Sequence, residues 1–101
     1  MYLEQRNPNY AQSRKKGGLF LKKAREQAGL TQRQLAERLG IAYYTFISQI
    51  ESGKGRVPPD LYERWAEALG LQTSEFVKKL LAFYDPITFK ALFGVPPEAS
   101  T

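Results

Sequence analysis

The amino-acid sequence predicts an all-α fold, a compact bundle of five helices with a short sixth at its C-terminal end. Three observations lead there. Apolar residues recur at helical spacing in successive segments, as in Leu35, Ala36 and Leu39 or Leu61, Trp65, Ala66 and Leu69, the mark of helices with one buried face. Those segments open on residues that cap helices (Thr31, Thr73, Asp85) and close on glycines (Gly29, Gly40, Gly70, Gly94), the usual start and stop signals. The length of 101 residues supports one small core and leaves nothing over for a second.

In chain order, residues 1–13 show no helical or strand period, and Asn7, Pro8 and Asn9 favour turn or coil. With Arg14, Lys15 and Lys16 placed ahead of Gly17 and Gly18, the segment 1–16 reads as a flexible basic tail, either solvated or laid along a polyanion. The folded domain is then 17–94. Its first helix runs from Leu19 to Ala28, with Phe20, Leu21, Ala24 and Ala28 on the apolar stripe and Lys22, Lys23 and Glu26 outside. Thr31 caps a second helix at about 32–39, which Gly40 ends. A third follows at about 43–52, where Phe46, Ile47 and Ile50 have core spacing.

Beyond it the loop ESGKGRVPP leads to Pro58 and Pro59, which suit the start of a fourth helix. Trp65 on its inner stripe is read as core rather than as the wall of a ligand pocket. Thr73 opens a fifth helix carrying Phe76, Val77, Leu80, Leu81 and Tyr84. Asp85 and Pro86 then form a cap and first-turn proline for the sixth, Pro86 to Phe93. Residues 95–101 are expected to be loose.

Composition narrows the function. The chain has no cysteine and no histidine, which removes disulfides, thiolate and imidazole nucleophiles, and ordinary transition-metal sites. Its carboxylates, Glu26, Glu37, Glu51, Asp60, Glu63 and Glu67 among them, are scattered among basic neighbours, and no glycine-rich phosphate loop is present. An enzyme is therefore not expected, nor a metal or cofactor. No apolar run approaches the ~18 residues of a membrane span, and the polar start MYLEQRNPNY lacks a signal-peptide core. A cytoplasmic protein is expected. A net charge of +5 and a pI near 9.6 favour polyanionic partners.

Two short helices around Gly40 form a helix-turn-helix unit. On the outside of its second helix lie Tyr43, Tyr44, Thr45, Ser48 and Gln49, side chains able to meet base edges and phosphates. The run LTQRQLAERLG followed by FISQIESG resembles the phage-repressor-type, or XRE, helix-turn-helix family, and the likeness extends from about Leu19 to about Leu81. The resemblance implies that the second helix is a recognition helix lying in the major groove of DNA, and that a dimer binds a two-fold symmetric operator. It also implies an ion pair between Arg25 of the first helix and Glu51 at the end of the recognition helix. The sequence carries one more residue between Gly40 and Ile47, within IAYYTF, than shorter family members. The recognition helix could thus start anywhere from Ala42 to Thr45.

On this reading Gln49, whose amide can pair bidentately with adenine, leads the candidate base contacts, with Tyr44, Thr45 and Ser48. Gln32, in the first turn of the second helix where free N–H groups suit a phosphate, joins Tyr43, Lys54 and Arg56 as candidate phosphate contacts. Towards the C-terminus, Phe83, Tyr84, Ile87, Phe89, Leu92 and Phe93 are more apolar surface than closing a five-helix core requires, and are expected to form a homodimer contact. The function expected is that of a dimeric repressor of transcription reading a palindromic operator in double-stranded DNA. The alternative is an antitoxin or phage-type adaptor that uses the C-terminal aromatic patch to hold another protein.

Overall fold

The computed structural model describes residues 8–95. Among the described residues six α-helices and one 3₁₀ turn follow one another: α1 (Pro8–Gln27), α2 (Gln32–Leu39), α3 (Thr45–Glu51), the turn Pro59–Leu61, α4 (Tyr62–Leu69), α5 (Thr73–Tyr84) and α6 (Pro86–Phe93). No strand occurs among the described residues. The all-α expectation holds, and Thr31, Gly40, Gly70, Asp85 and Gly94 are caps as expected, whereas Thr73 is the first residue of α5 and Gln72 takes the cap position without a side-chain bond.

α1 departs most from expectation. It starts at Pro8 rather than Leu19, so Arg14, Lys15 and Lys16 belong to a helix and not to a flexible tail. The rest of that expected tail, residues 1–7, lies outside the described residues, as do 96–101. Gly17 and Gly18, which suggested flexibility, are both buried inside α1. Glycine in a helix interior costs about 1 kcal/mol relative to alanine, so a contact must offset it. A Cβ on Gly18 would lie 2.2 Å from the Glu51 carbonyl oxygen, and one on Gly17 would lie 3.0 Å from Phe83 Cβ. The two glycines let α1 pass hard against the end of α3 on one side and α5 on the other. Ser13 Oγ reinforces the second contact by donating to the Phe83 carbonyl at 2.6 Å.

The core behind these crossings is made by Leu21, Leu35, Leu39, Ile47, Ile50, Val57, Trp65, Phe76 and Leu80, each essentially inaccessible to solvent. Trp65 is core as read, although its Nε1 is a buried donor without an acceptor among the described residues. Phe20 lies across the seam, with ring centroids 6.3 Å from Phe76 and 5.8 Å from Phe83. At the far end the Tyr84 hydroxyl accepts from the Val57 N–H at 3.2 Å, tying α5 to the loop after α3. Burial, the largest influence, raises the Tyr84 hydroxyl above its ordinary range.

α6 begins as predicted: Pro86 occupies the first turn, and the Asp85 carboxylate accepts from the Thr88 N–H at 3.0 Å and its hydroxyl at 2.6 Å. Those two bonds hold the Asp85 carboxyl below the usual aspartate range. Of the six residues expected at a dimer contact, Phe83, Tyr84 and Phe89 are buried in the chain's own core. The close α1–α5 and α5–α6 packing consumes more apolar surface than closing a five-helix core was expected to require. Ile87, Leu92 and Phe93 remain 67, 64 and 52% exposed.

Candidate nucleic-acid interface

α2 is defined at both ends by its own sequence. The Gln34 N–H donates to Thr31 Oγ1 at 3.1 Å, and the Thr31 N–H donates to Gln34 Oε1 at 2.9 Å, a reciprocal box that satisfies two otherwise free donors. Gly40 ends the helix with φ 71°, a left-handed conformation costly for any residue with a Cβ, and its N–H reaches the carbonyls of Ala36 and Glu37. Arg64 of α4 donates to the Leu39 carbonyl at 3.0 Å, covering another free acceptor.

The start of α3 lies at Thr45, two residues later than the expected 43 and at the far end of the range the extra residue allowed. Tyr44 occupies the cap position with helical φ and ψ but no side-chain cap bond. The Phe46 N–H reaches the Tyr43 carbonyl at 3.2 Å and the Ile47 N–H reaches that of Tyr44 at 2.9 Å. Tyr43 and Tyr44 thus form a turn leading into the helix, and the additional residue is absorbed there without displacing Ile47 or Ile50 from the core.

The helix sorts its residues cleanly. Ile47 and Ile50 are buried and Phe46 partly so, while Thr45, Ser48 and Gln49 face solvent in one row, with Tyr43 and Tyr44 exposed beside its start. The Gln49 amide makes no hydrogen bond to the described chain, so both its donor and acceptor are available to a base edge. Lys54 and Arg56 are exposed on the following loop. The Arg56 guanidinium rests 4.7 Å over the Tyr84 ring. At Gly53 the loop touches α1, where an added Cβ would sit 3.0 Å from the Lys15 Cα. Lys15 of α1 therefore packs against the loop at the residue before Lys54.

The other side of α3 is held by the ion pair that the family resemblance implied. Arg25 Nε donates to Glu51 Oε2 at 2.7 Å, Nη2 donates to Oε1 at 3.1 Å, and Nη1 donates to the Leu30 carbonyl at 2.8 Å. Both residues are buried. The bond to Glu51 raises the Arg25 guanidinium further above its already high range, against the opposing effect of burial. Gln32 joins this cluster, its Nε2 donating to Glu51 Oε1 at 3.0 Å. Its amide is thus shared with the ion pair rather than wholly available to a phosphate. One N–H of Nε2 is committed to the carboxylate, and the amide oxygen, an acceptor, cannot bind a phosphate oxygen.

Arg33 was missed by sequence reasoning. It is exposed on the first turn of α2, and its guanidinium stacks 4.7 Å from the centroid of the Tyr44 ring. No local signal joins a residue of α2 to one in the turn before α3, so only the packing of the turn reveals the pair. Among the described residues there is no cluster of acidic side chains suited to a metal, and no helix is long and apolar enough to cross a membrane.

A search of curated proteins finds no match. A family model described as helix-turn-helix matches residues 21–76, more than half of the chain and the whole of α2, α3 and α4. With the capped α2, the left-handed turn at Gly40 and the outward row of α3 already in place, the chain belongs to the XRE, or phage-repressor-like, family of DNA-binding helix-turn-helix transcriptional regulators.

Proposed function

We propose that the protein is a dimeric repressor that lays α3 in the major groove of a palindromic operator. Thr45, Ser48 and Gln49 meet base edges, Tyr44 stands at the entrance to the groove, and Tyr43, Lys54 and Arg56 meet the flanking phosphates. Gln32 contributes at most its second amide N–H and its backbone. The observation that carries the reading is the solvent-facing polar row of α3, in which the Gln49 side-chain amide has no hydrogen-bond partner among the described residues, while the opposite face is locked by Arg25 and Glu51. A protein with this role works in the cytoplasm, where its operator is.

The dimer contact is assigned to Ile87, Leu92 and Phe93 on α6, the exposed remainder of the C-terminal patch. Selecting bound duplexes from a random pool tests both parts. A two-fold symmetric motif, with half-sites about one helical turn apart, is the expected result. An asymmetric motif overturns the dimer, and absence of binding to every duplex at low salt overturns DNA recognition itself.

A second reading is supported by the same α6 surface. Lys78 Nζ lies 4.6 Å over the Phe93 ring, giving the patch a basic edge that suits an acidic partner. A stoichiometric foreign partner held through α6 after purification favours an adaptor or antitoxin, and a clean self-dimer counts against it.

A further inference from the structure

Arg33 and Tyr44 stand eleven residues apart in sequence, one in the first turn of α2 and the other at the cap position ahead of α3, yet they stack with the guanidinium carbon 4.7 Å from the ring centroid. Stacking occupies the flat face of the guanidinium and leaves its N–H edge free. Among the described residues that edge has neither a hydrogen-bond acceptor nor an ion-pair partner. Glu37, one turn along α2, borders the same shallow hollow with Ala36, Ile41 and Ala42 but does not pair with it. An unsupported surface arginine samples many rotamers and loses that freedom when it binds. A ring beneath it removes much of the freedom beforehand, which is a gain in affinity from preorganisation.

The position selects the ligand. In a docked helix-turn-helix unit the first helix crosses the sugar-phosphate backbone and the second enters the groove. Arg33 belongs to the first helix and Tyr44 precedes the second, so the stack bridges the place where backbone borders groove. We propose that Arg33 grips a DNA phosphate and that Tyr44 is the residue that positions it. Tyr44 then contributes to affinity through its ring face rather than by reading a base. The proposal rests on the DNA-binding reading above.

The test uses the full chain, the duplex returned by selection and a random-sequence duplex, with affinities measured across a range of salt. Arg33→Ala should weaken binding to both duplexes about tenfold, the effect of one charge-assisted contact, and reduce the log–log salt slope by about 0.9. Tyr44→Leu should reproduce most of that loss, Tyr44→Phe should restore wild-type affinity, and Arg33→Ala combined with Tyr44→Leu should be no worse than Arg33→Ala alone. Unchanged affinity and slope in Arg33→Ala, with the wild type binding normally, overturns the proposal and leaves the DNA reading intact. Equal losses in Tyr44→Phe and Tyr44→Leu also overturn it, since the hydroxyl and not the ring would then be in use. A wild type that binds neither duplex overturns the DNA reading and this inference with it.

Discussion

Replacing Gly18 by alanine sets two physical effects against each other, and the structure decides the sign. Helix propensity alone favours alanine by about 1 kcal/mol at an interior position. The new Cβ, however, would lie 2.2 Å from the Glu51 carbonyl oxygen, 2.6 Å from the carbonyl carbon and 3.0 Å from the Ile50 carbonyl oxygen. All three obstacles are backbone, so no rotamer change relieves them. Restoring ordinary contact requires α1 and α3 to separate by about 1 Å. The same separation stretches the buried Arg25–Glu51 bonds, now 2.7 and 3.1 Å, towards the limit of hydrogen bonding. Overpacking costs ~1–3 kcal/mol, and loosening a buried ion pair adds to it.

We therefore expect Gly18→Ala to lose about 2–4 kcal/mol net, which in a domain of this size lowers Tm by roughly 10–25 °C. Urea and thermal unfolding followed by circular dichroism measure it. Gly17→Ala is the internal comparison. Its Cβ would meet Phe83 Cβ at 3.0 Å and Cγ at 3.3 Å, side-chain atoms that can yield by tenths of an ångström, so its loss should be clearly smaller. A Gly18→Ala protein as stable as wild type, or more stable, would refute the close-crossing account of α1 and return the two glycines to the role of flexible spacer.

The other expectations are more compact. Arg25→Met should destabilise by about 3–5 kcal/mol because it strands the buried Glu51 carboxylate, while Arg25→Met with Glu51→Leu should recover much of that loss; urea titrations of the single and double variants measure both. Tyr84→Phe should cost about 1–2 kcal/mol by leaving the Val57 N–H without its acceptor. Because the folded state holds the Tyr84 hydroxyl above its unfolded value, the wild type should keep this contribution below about pH 10 and lose stability as the pH rises beyond it, a decline the Phe variant lacks. Asp85 has the opposite sign. Its lowered carboxyl stabilises the protein above about pH 4 and loses that effect as the pH falls through the folded value, so Asp85→Ala should cost about 1 kcal/mol at neutral pH and flatten the acid limb of the stability curve. In DNA binding, Gln49→Ala should relax preference at one base position, whereas Lys54→Ala should weaken all duplexes alike and lower the salt slope by about 0.9; a sequence-independent loss from Gln49→Ala would contradict its base contact, and a sequence-selective loss from Lys54→Ala its phosphate contact.

What could be read from the sequence was whatever is encoded within a few neighbouring residues. Thr31 and Gln34 close a capping box across three positions, Gly40 stops α2 one residue later than Leu39, and Asp85 and Pro86 start α6 in the same way. The alternation of Leu35, Ala36 and Leu39 with polar neighbours, and of Ile47 and Ile50 with Thr45, Ser48 and Gln49, separates core from solvent face by helical period alone. Arg25 and Glu51 were paired beforehand only because the family resemblance joined them.

The tertiary structure decided what depends on groups far apart in the chain. Gly17 and Gly18 carry the same local signal whether they loosen a tail or admit a neighbouring backbone, and only the crossing of α1 with α3 and α5 distinguishes the two. The C-terminal apolar residues look alike by composition, yet Phe83, Tyr84 and Phe89 turn inward while Ile87, Leu92 and Phe93 stay exposed. Gln32 has its amide drawn to Glu51, and Arg33 finds the face of Tyr44. In each case the deciding quantity is a distance between helices, set by side-chain volume and backbone approach, which no period or cap in the sequence records.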